Sequence, residues 1–287
     1  MKILVYTVAG VAAFLAILKI LVLILEPRLT FFPFHRIDMT PADLGIPYEE
    51  HFIDTPDGAR LWAWHLPCDQ PVAELLFFHG NAGNLSKGRL ELLADLQRHG
   101  FTVFVFDYRG YGKSTGSPTE KGVLTDAAAA TDYFWARIHR PGRAVIYHGR
   151  SIGGLTAAYA AGHRETDGLI LEATFPDKKT LLQHYPFMLR FLGLFSRYEL
   201  ATAKYLREVS CPILMIHGDR DRIVPFPVGQ DLYRRLETAD KRFLVIPGAD
   251  HNDQATTGGE LYWPGILEFA SRIQGHSQPE ISGNGLR

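Results

Sequence analysis

The chain has 287 residues, 46% of them hydrophobic and 21% charged, which suits one α/β domain with a large core and a short extension. A net charge of −1 leaves no basic field to recruit nucleic acid and no acidic solvating tail. Cys68 and Cys211 form no C-x-x-C pair, so neither a metal framework nor a disulfide-dense scaffold is expected, and both are read as free thiols.

The first element in chain order is an almost wholly apolar run over 3–25, broken by Lys19. As a helix rising ~1.5 Å per residue, about 23 residues cover roughly 34 Å, enough for a ~30 Å hydrocarbon core. Lys19 sits towards one end, where its stem lets the ammonium reach water. The run is longer than the ~7–15-residue apolar region of a signal peptide. Glu26-Pro27-Arg28 also offers no small-x-small cleavage site. The segment therefore reads as an uncleaved, single-pass membrane anchor followed by a juxtamembrane stretch over 26–47. Lys2 precedes it while Arg28 and Arg36 follow it, so flanking charge sets no orientation.

From 48 to 273, strand-like runs alternate with helix-like runs, the pattern of a mostly parallel sheet covered on both faces. Strand-like runs at 51–53 and 61–64 flank Thr55-Pro56-Asp57-Gly58, a hairpin turn. Near-continuous apolar runs at 73–78, 101–106, 144–147, 169–171, 213–216 and 243–246 predict strands buried on both sides. Helices are predicted at 90–98, 121–138, 155–161, 228–236 and 259–273. Residues 172–210 are too few for a large cap domain and predict a small one. The polar, Gly/Ser/Pro-containing stretch 274–287 predicts a disordered tail.

The predicted strands end in short polar loops, and in open α/β sheets the ligand crevice lies at the carboxyl ends of the strands. One loop is Gly149-Arg150-Ser151-Ile152-Gly153, a G-x-S-x-G that follows a strand and opens a helix. That context makes it a nucleophile elbow: a sharp turn exposes Ser151, and glycines two residues either side remove collisions. A serine hydroxyl needs a base, itself oriented by a carboxylate, in the chain order Ser, acid, His. Of the later histidines, His251 lies in the loop after the last strand, where it can reach back to Ser151, whereas His217 reads as a brace for its own loop. The acid is Asp219 or Asp221, two residues apart in one loop, the other being expected to pair with Arg220 or Arg222. Oxyanion donors are expected from the backbone N–H of Ile152 and from Asn81, whose side chain is also free to hold water or substrate.

These motifs together resemble the α/β-hydrolase superfamily. More narrowly, the chain resembles the membrane-anchored group that includes alpha/beta-hydrolase-domain-containing proteins 13 and 17. The matching pieces are the apolar N-terminus, Phe31-Phe32-Pro33, Thr55-Pro56-Asp57-Gly58, the segment from Phe78 to Asn84, Asp107-Tyr108-Arg109-Gly110-Tyr111-Gly112, Gly149-Arg150-Ser151, the loop from His217 to Pro225 and His251-Asn252. The resemblance implies an α/β-hydrolase fold and, through the pattern H-G-x-x-D-x-x-V-P, assigns the acid to Asp221. The acylated cysteine cluster of the protein 17 branch is missing here, so depalmitoylation is not carried over.

The expected function is hydrolysis of an ester or thioester, with an acyl, lipid-like substrate favoured by the anchor. Cap aromatics such as Phe187 and Phe191 line an acyl pocket, touch the bilayer or simply cover the core. A serine peptidase acting on short peptides and a catalytically silent membrane scaffold are the competing readings. No cofactor is expected because the elbow is not a G-x-G-x-x-G loop. No metal is expected because no His/Asp/Glu cluster has ligand spacing. Composition says nothing of the oligomeric state.

Overall fold

A computed structural model describes residues 1–277 of the chain. Helix α1 spans Lys2–Thr30, five residues beyond the expected end of the anchor, with Pro27 inside its last turns. Phe32–Pro33 (β1) pairs in parallel with Ala82–Gly83 (β5), a two-residue ladder that no local pattern announces. After a 3₁₀ turn at Pro41–Leu44, β2 (Glu49–Asp54) and β3 (Arg60–Leu66) form the expected antiparallel hairpin.

The chain then alternates: β4 (Ala73–Phe78), α2 (Leu90–Arg98), β6 (Phe101–Phe106), α3 (Glu120–Arg137), β7 (Val145–Arg150), α4 (Gly153–His163) and β8 (Gly168–Glu172). Cap helices α5 (Lys178–Leu182), α6 (Phe187–Gly193) and α7 (Thr202–Leu206) follow. The last elements are β9 (Ile213–Gly218), α8 (Phe226–Arg235), β10 (Lys241–Ile246), α9 (Gln254–Thr257) and α10 (Gly259–Ser277). The first four residues of the predicted tail are therefore helical, and 278–287 lie outside the described residues.

Eight strands form one sheet in the order β10-β9-β8-β7-β4-β6-β3-β2. It is parallel from β10 to β6 and antiparallel through β3 and β2. Alternation along each buried strand divides its side chains between two cores. Leu76, Phe78, Phe104, Phe106 and Tyr147 face α3 and α4, where Phe134 and Leu155 meet them. Leu75, Phe77, Val103, Val105 and Ile146 face α2 and α10, meeting Leu93 and Ile266. Because both faces are buried, these strands carry runs of apolar residues instead of alternating with polar ones. The layout brings the carboxyl ends of β4, β6, β7, β8, β9 and β10 to one edge.

Helix α1 ends on that same edge. Val22 and Glu26 are its buried residues, one turn apart. The Glu26 carboxylate accepts from the Tyr198 N–H at 3.0 Å and from the Ser196 hydroxyl. The ring of Phe31 lies edge-on to Tyr198 at 6.0 Å. The helix is long and apolar enough to cross a membrane.

Candidate active site

Ser151 stands in the turn between β7 and α4 with φ 56°, a left-handed conformation that a residue bearing a Cβ adopts only under constraint. The constraint comes from tight packing on every side. A Cβ on Gly153 would land on the carbonyl of Phe78, and one on Gly149 would collide with the carbonyl of Gly153. A Cβ on Gly154 would strike the side chain of Thr174, whose hydroxyl donates to the Ser151 carbonyl at 2.7 Å. The N-terminus of α4 sits directly beneath the hydroxyl, contributing partial positive charge.

His251 comes together with Asp221, the one of the two loop carboxylates that the resemblance implied. His251 Nδ1 lies 2.8 Å from Asp221 Oδ2, and both residues are about 5% exposed. Asp221 Oδ1 accepts the N–H groups of Ile223 at 2.8 Å and Val224 at 2.7 Å, which fix the carboxylate in place. His217 braces the same loop by donating from Nε2 to the Val224 carbonyl at 2.8 Å. Asp219 does not pair with an arginine as expected. Its Oδ1 accepts the Gly248 N–H at 2.7 Å, because Arg222 is drawn across to Asp250. Cys68 and Cys211 are free thiols, and burial pushes Cys211 up to about 12.

Asn81, Ser151 and Ile152 line one cavity, and among the described residues neither the Asn81 nor the Ile152 N–H has an acceptor. The Asn81 side chain spends one Nδ2–H on the Thr30 carbonyl at 2.8 Å, while the residue still lines both cavities at Ser151. The Asn81 carbonyl accepts from Phe32 N–H at 2.9 Å and Tyr111 hydroxyl at 2.7 Å. The end of α1 thus sets the conformation of the loop carrying this donor.

Several residues that build the site escape sequence reasoning. Arg89 is buried and donates to the carbonyls of Gly80, Ala82, Asn84 and Lys87, clamping the Asn81 loop from within. Glu172, at the end of β8, gathers Arg150 Nε at 3.2 Å, His148 Nε2 at 2.9 Å and the Tyr262 hydroxyl at 2.8 Å. Arg150 Nη2 in turn donates to the His251 carbonyl at 2.9 Å. A charged residue ending an otherwise apolar strand was the available signal for Glu172.

Beneath the Asn81 loop, His79 Nδ1 donates to the Gly80 carbonyl at 2.7 Å, leaving Nε2 as an acceptor 3.2 Å from Asp107 Oδ1. Burial here favours the protonated form of the Asp107 carboxyl. Burial pushes Asp107 up to about 8 against the pull of Arg89, and burial together with Arg89 holds His79 well below its ordinary value. The folded protein keeps this proton up to about pH 8, whereas an unfolded Asp releases it near ~3.9. Across that window the native state binds more protons, so this group makes stability fall as pH rises. Asp107→Asn, which imitates the protonated acid, should show a flatter pH profile than the parent in urea unfolding between about pH 4 and 8. Parallel profiles would refute the assignment.

Glu49, His51 and His65 are the described residues that gather as possible metal ligands, with donor atoms within 4.8 Å of one another. Glu49 and His65 face each other across β2 and β3, a proximity that linear spacing hides. The group lies on the hairpin, away from Ser151.

Two cavities meet at Ser151. One, of about 500 Å³, is lined by Gly80, Asn81, Lys87, Arg150, His251 and Asn252. The other, of about 310 Å³, is apolar, bounded by Val22 and Leu29 of α1, Leu182 and Leu192 of the cap, and Tyr198.

A sheet of this order, a strained serine at its centre and a histidine–carboxylate pair at its carboxyl edge define a hydrolase of the α/β fold. The chain belongs to the α/β-hydrolase family. The family model for the alpha/beta hydrolase fold matches residues 74–199, and one described as serine aminopeptidase S33 matches 200–253. An Arabidopsis thaliana alpha/beta hydrolase domain-containing protein, WAV2, is 31% identical over 96% of this chain and 94% of its own. A membrane protein of Saccharomyces cerevisiae is 34% identical over 80% of this chain and 82% of its own. Within the family the chain falls in the membrane-anchored group. An esterase of Pyrococcus furiosus shares the fold, with a TM-score of 0.69 at 22% identity over 85% of this chain and 98% of that one.

Proposed function

We propose that the protein is a serine hydrolase that cleaves carboxylic esters or thioesters of acyl chains, with Ser151 as nucleophile, His251 as base and Asp221 as its orienting acid. The observation that carries this reading is Ser151 at φ 56°, lining one cavity with His251, whose Nδ1 is held 2.8 Å from Asp221. In this mechanism His251 Nε2 takes the Ser151 proton as Oγ attacks the carbonyl carbon. The N–H groups of Asn81 and Ile152 receive the developing oxyanion. His251 then protonates the departing alcohol or thiol, and water, activated by the same imidazole, releases the acid from the acyl-enzyme. No cofactor takes part, and α1 anchors the enzyme in a membrane.

The apolar cavity supports an acyl substrate. A peptidase reading draws on the S33 description of residues 200–253. It requires a free carboxylate to hold the substrate amine, and Glu26 in the apolar cavity is already engaged by Ser196 and Tyr198. A fluorescent fluorophosphonate should label the full-length protein and fail to label Ser151→Ala, with His251→Ala strongly slowed. Competition by acyl esters, thioesters and aminoacyl naphthylamides then ranks substrate classes. A folded parent that resists labelling sinks the triad and favours the scaffold reading.

A further inference from the structure

Part of the cap, including Tyr198, Leu200 and Leu206, joins the core, whereas α6 and its flanks leave apolar side chains exposed. No residue of α5 or α6 is buried, and Phe187 and Leu194 are 75% and 78% exposed, with Met188 and Leu189 beside them. A contiguous apolar patch of this kind on a folded domain marks a contact surface. Its surroundings identify the contact. From Lys178 to Arg197 the sequence has four Lys or Arg residues and no acid, and Lys179 and Arg190 are exposed. An apolar centre with a basic fringe matches a bilayer with anionic headgroups.

Helix α1 places that bilayer next to the patch. Its 29 residues exceed the roughly 20 that a ~30 Å core requires. The surplus turns, from about Val22, dock on the domain and supply Val22, Glu26 and Leu29 to the apolar cavity. That cavity shares Lys178, Leu182, Gly193 and Ser196 with an outer groove of about 520 Å³, which Phe187, Phe191 and Leu194 also line. A chain of apolar space therefore runs from the exposed cap face to Ser151, with the end of the membrane helix as one wall.

We infer that the cap rests on the same bilayer that α1 enters, and that the acyl chain of a membrane-resident ester reaches Ser151 from the lipid through the space between α1 and the cap. The inference rests on the hydrolase reading above and adds where the substrate resides and how it enters.

The test uses the full chain in nanodiscs of phosphatidylcholine with a minority of phosphatidylglycerol, and two substrates with one leaving group, methylumbelliferyl butyrate and palmitate. Phe187 and Leu194 line the outer groove and not the cavity at Ser151, so the Phe187→Ser/Leu194→Ser variant leaves the proposed triad and both donors untouched. Palmitate turnover should fall about tenfold or more while butyrate turnover holds, as expected when two large apolar contacts with lipid are lost. Equal loss on both esters, or no loss on either, overturns the portal. As an independent readout, the added emission of Met188→Trp over the parent should be quenched by lipids brominated on the acyl chain. Unquenched emission with turnover intact overturns the lipid contact alone. Turnover of neither ester by the parent overturns the hydrolase reading, and quenching then still reports whether the cap meets the bilayer.

Discussion

Asp221→Asn is expected to lower kcat by about 10⁴-fold with little change in KM, while Asp219→Asn stays within about twofold of the parent. The difference follows from what each carboxylate touches. Asp221 Oδ1 accepts two backbone N–H groups, from Ile223 and Val224, so an asparagine must keep its carbonyl oxygen there. Its amide nitrogen then faces His251 Nδ1, where Oδ2 now sits at 2.8 Å. A donor at that position forces the proton onto Nε2, and the ring can no longer take one from Ser151. Asp219 accepts a single N–H, from Gly248, at an exposed position, and asparagine keeps that bond. Steady-state rates on a soluble aryl ester, normalised by active-site titration, make the comparison. Comparable losses at the two positions would show that the loop, not the acid, is what matters.

That pair illustrates what was legible in the sequence. The elbow, His251 and the buried strands are local patterns: a serine between spaced glycines, a histidine after the last strand, apolar runs of strand length. The choice between Asp219 and Asp221 was not local. It depends on which carboxylate Ile223 and Val224 hold, and only the resemblance supplied it. The strand ends were misjudged where polar residues continue the ladder, as in His148-Gly149-Arg150 at the end of β7. The apolar run ends at Leu25, and Glu26 and Pro27 follow it, yet the helix continues to Thr30. Tertiary contacts support the continuation, Glu26 finding partners some 170 residues away in Ser196 and Tyr198. Nothing near Asn81 in the sequence reveals that its side-chain amide donates to the Thr30 carbonyl. Likewise, cap aromatics read equally well as core cover until their exposure is known.

The largest effect on stability is expected at Glu172. Glu172→Ala should cost about 3–5 kcal/mol, the range for breaking a buried ion pair and stranding its partner. On a chain of this size that lowers the melting temperature by roughly 10 °C. Burial alone would raise this carboxyl, but the charge of Arg150 and the hydrogen bonds of His148 and Tyr262 bring it down to about 2. It is therefore ionised wherever the protein is folded near neutrality. Its contribution is fully present above the unfolded value near ~4.3 and is lost as pH falls from there towards about 2. The gap between parent and variant should therefore narrow below about pH 4, and a gap that stays constant would mean that only packing was lost. The network also reaches the reaction centre, since the Arg150 side chain that Glu172 holds donates to the His251 carbonyl. Variants that survive at low temperature should accordingly label with fluorophosphonate more slowly than the parent. Thermal unfolding and labelling rate move together only if Glu172 acts through Arg150, so Arg150→Lys, which keeps the charge but loses the forked geometry, should slow labelling with a smaller loss of stability.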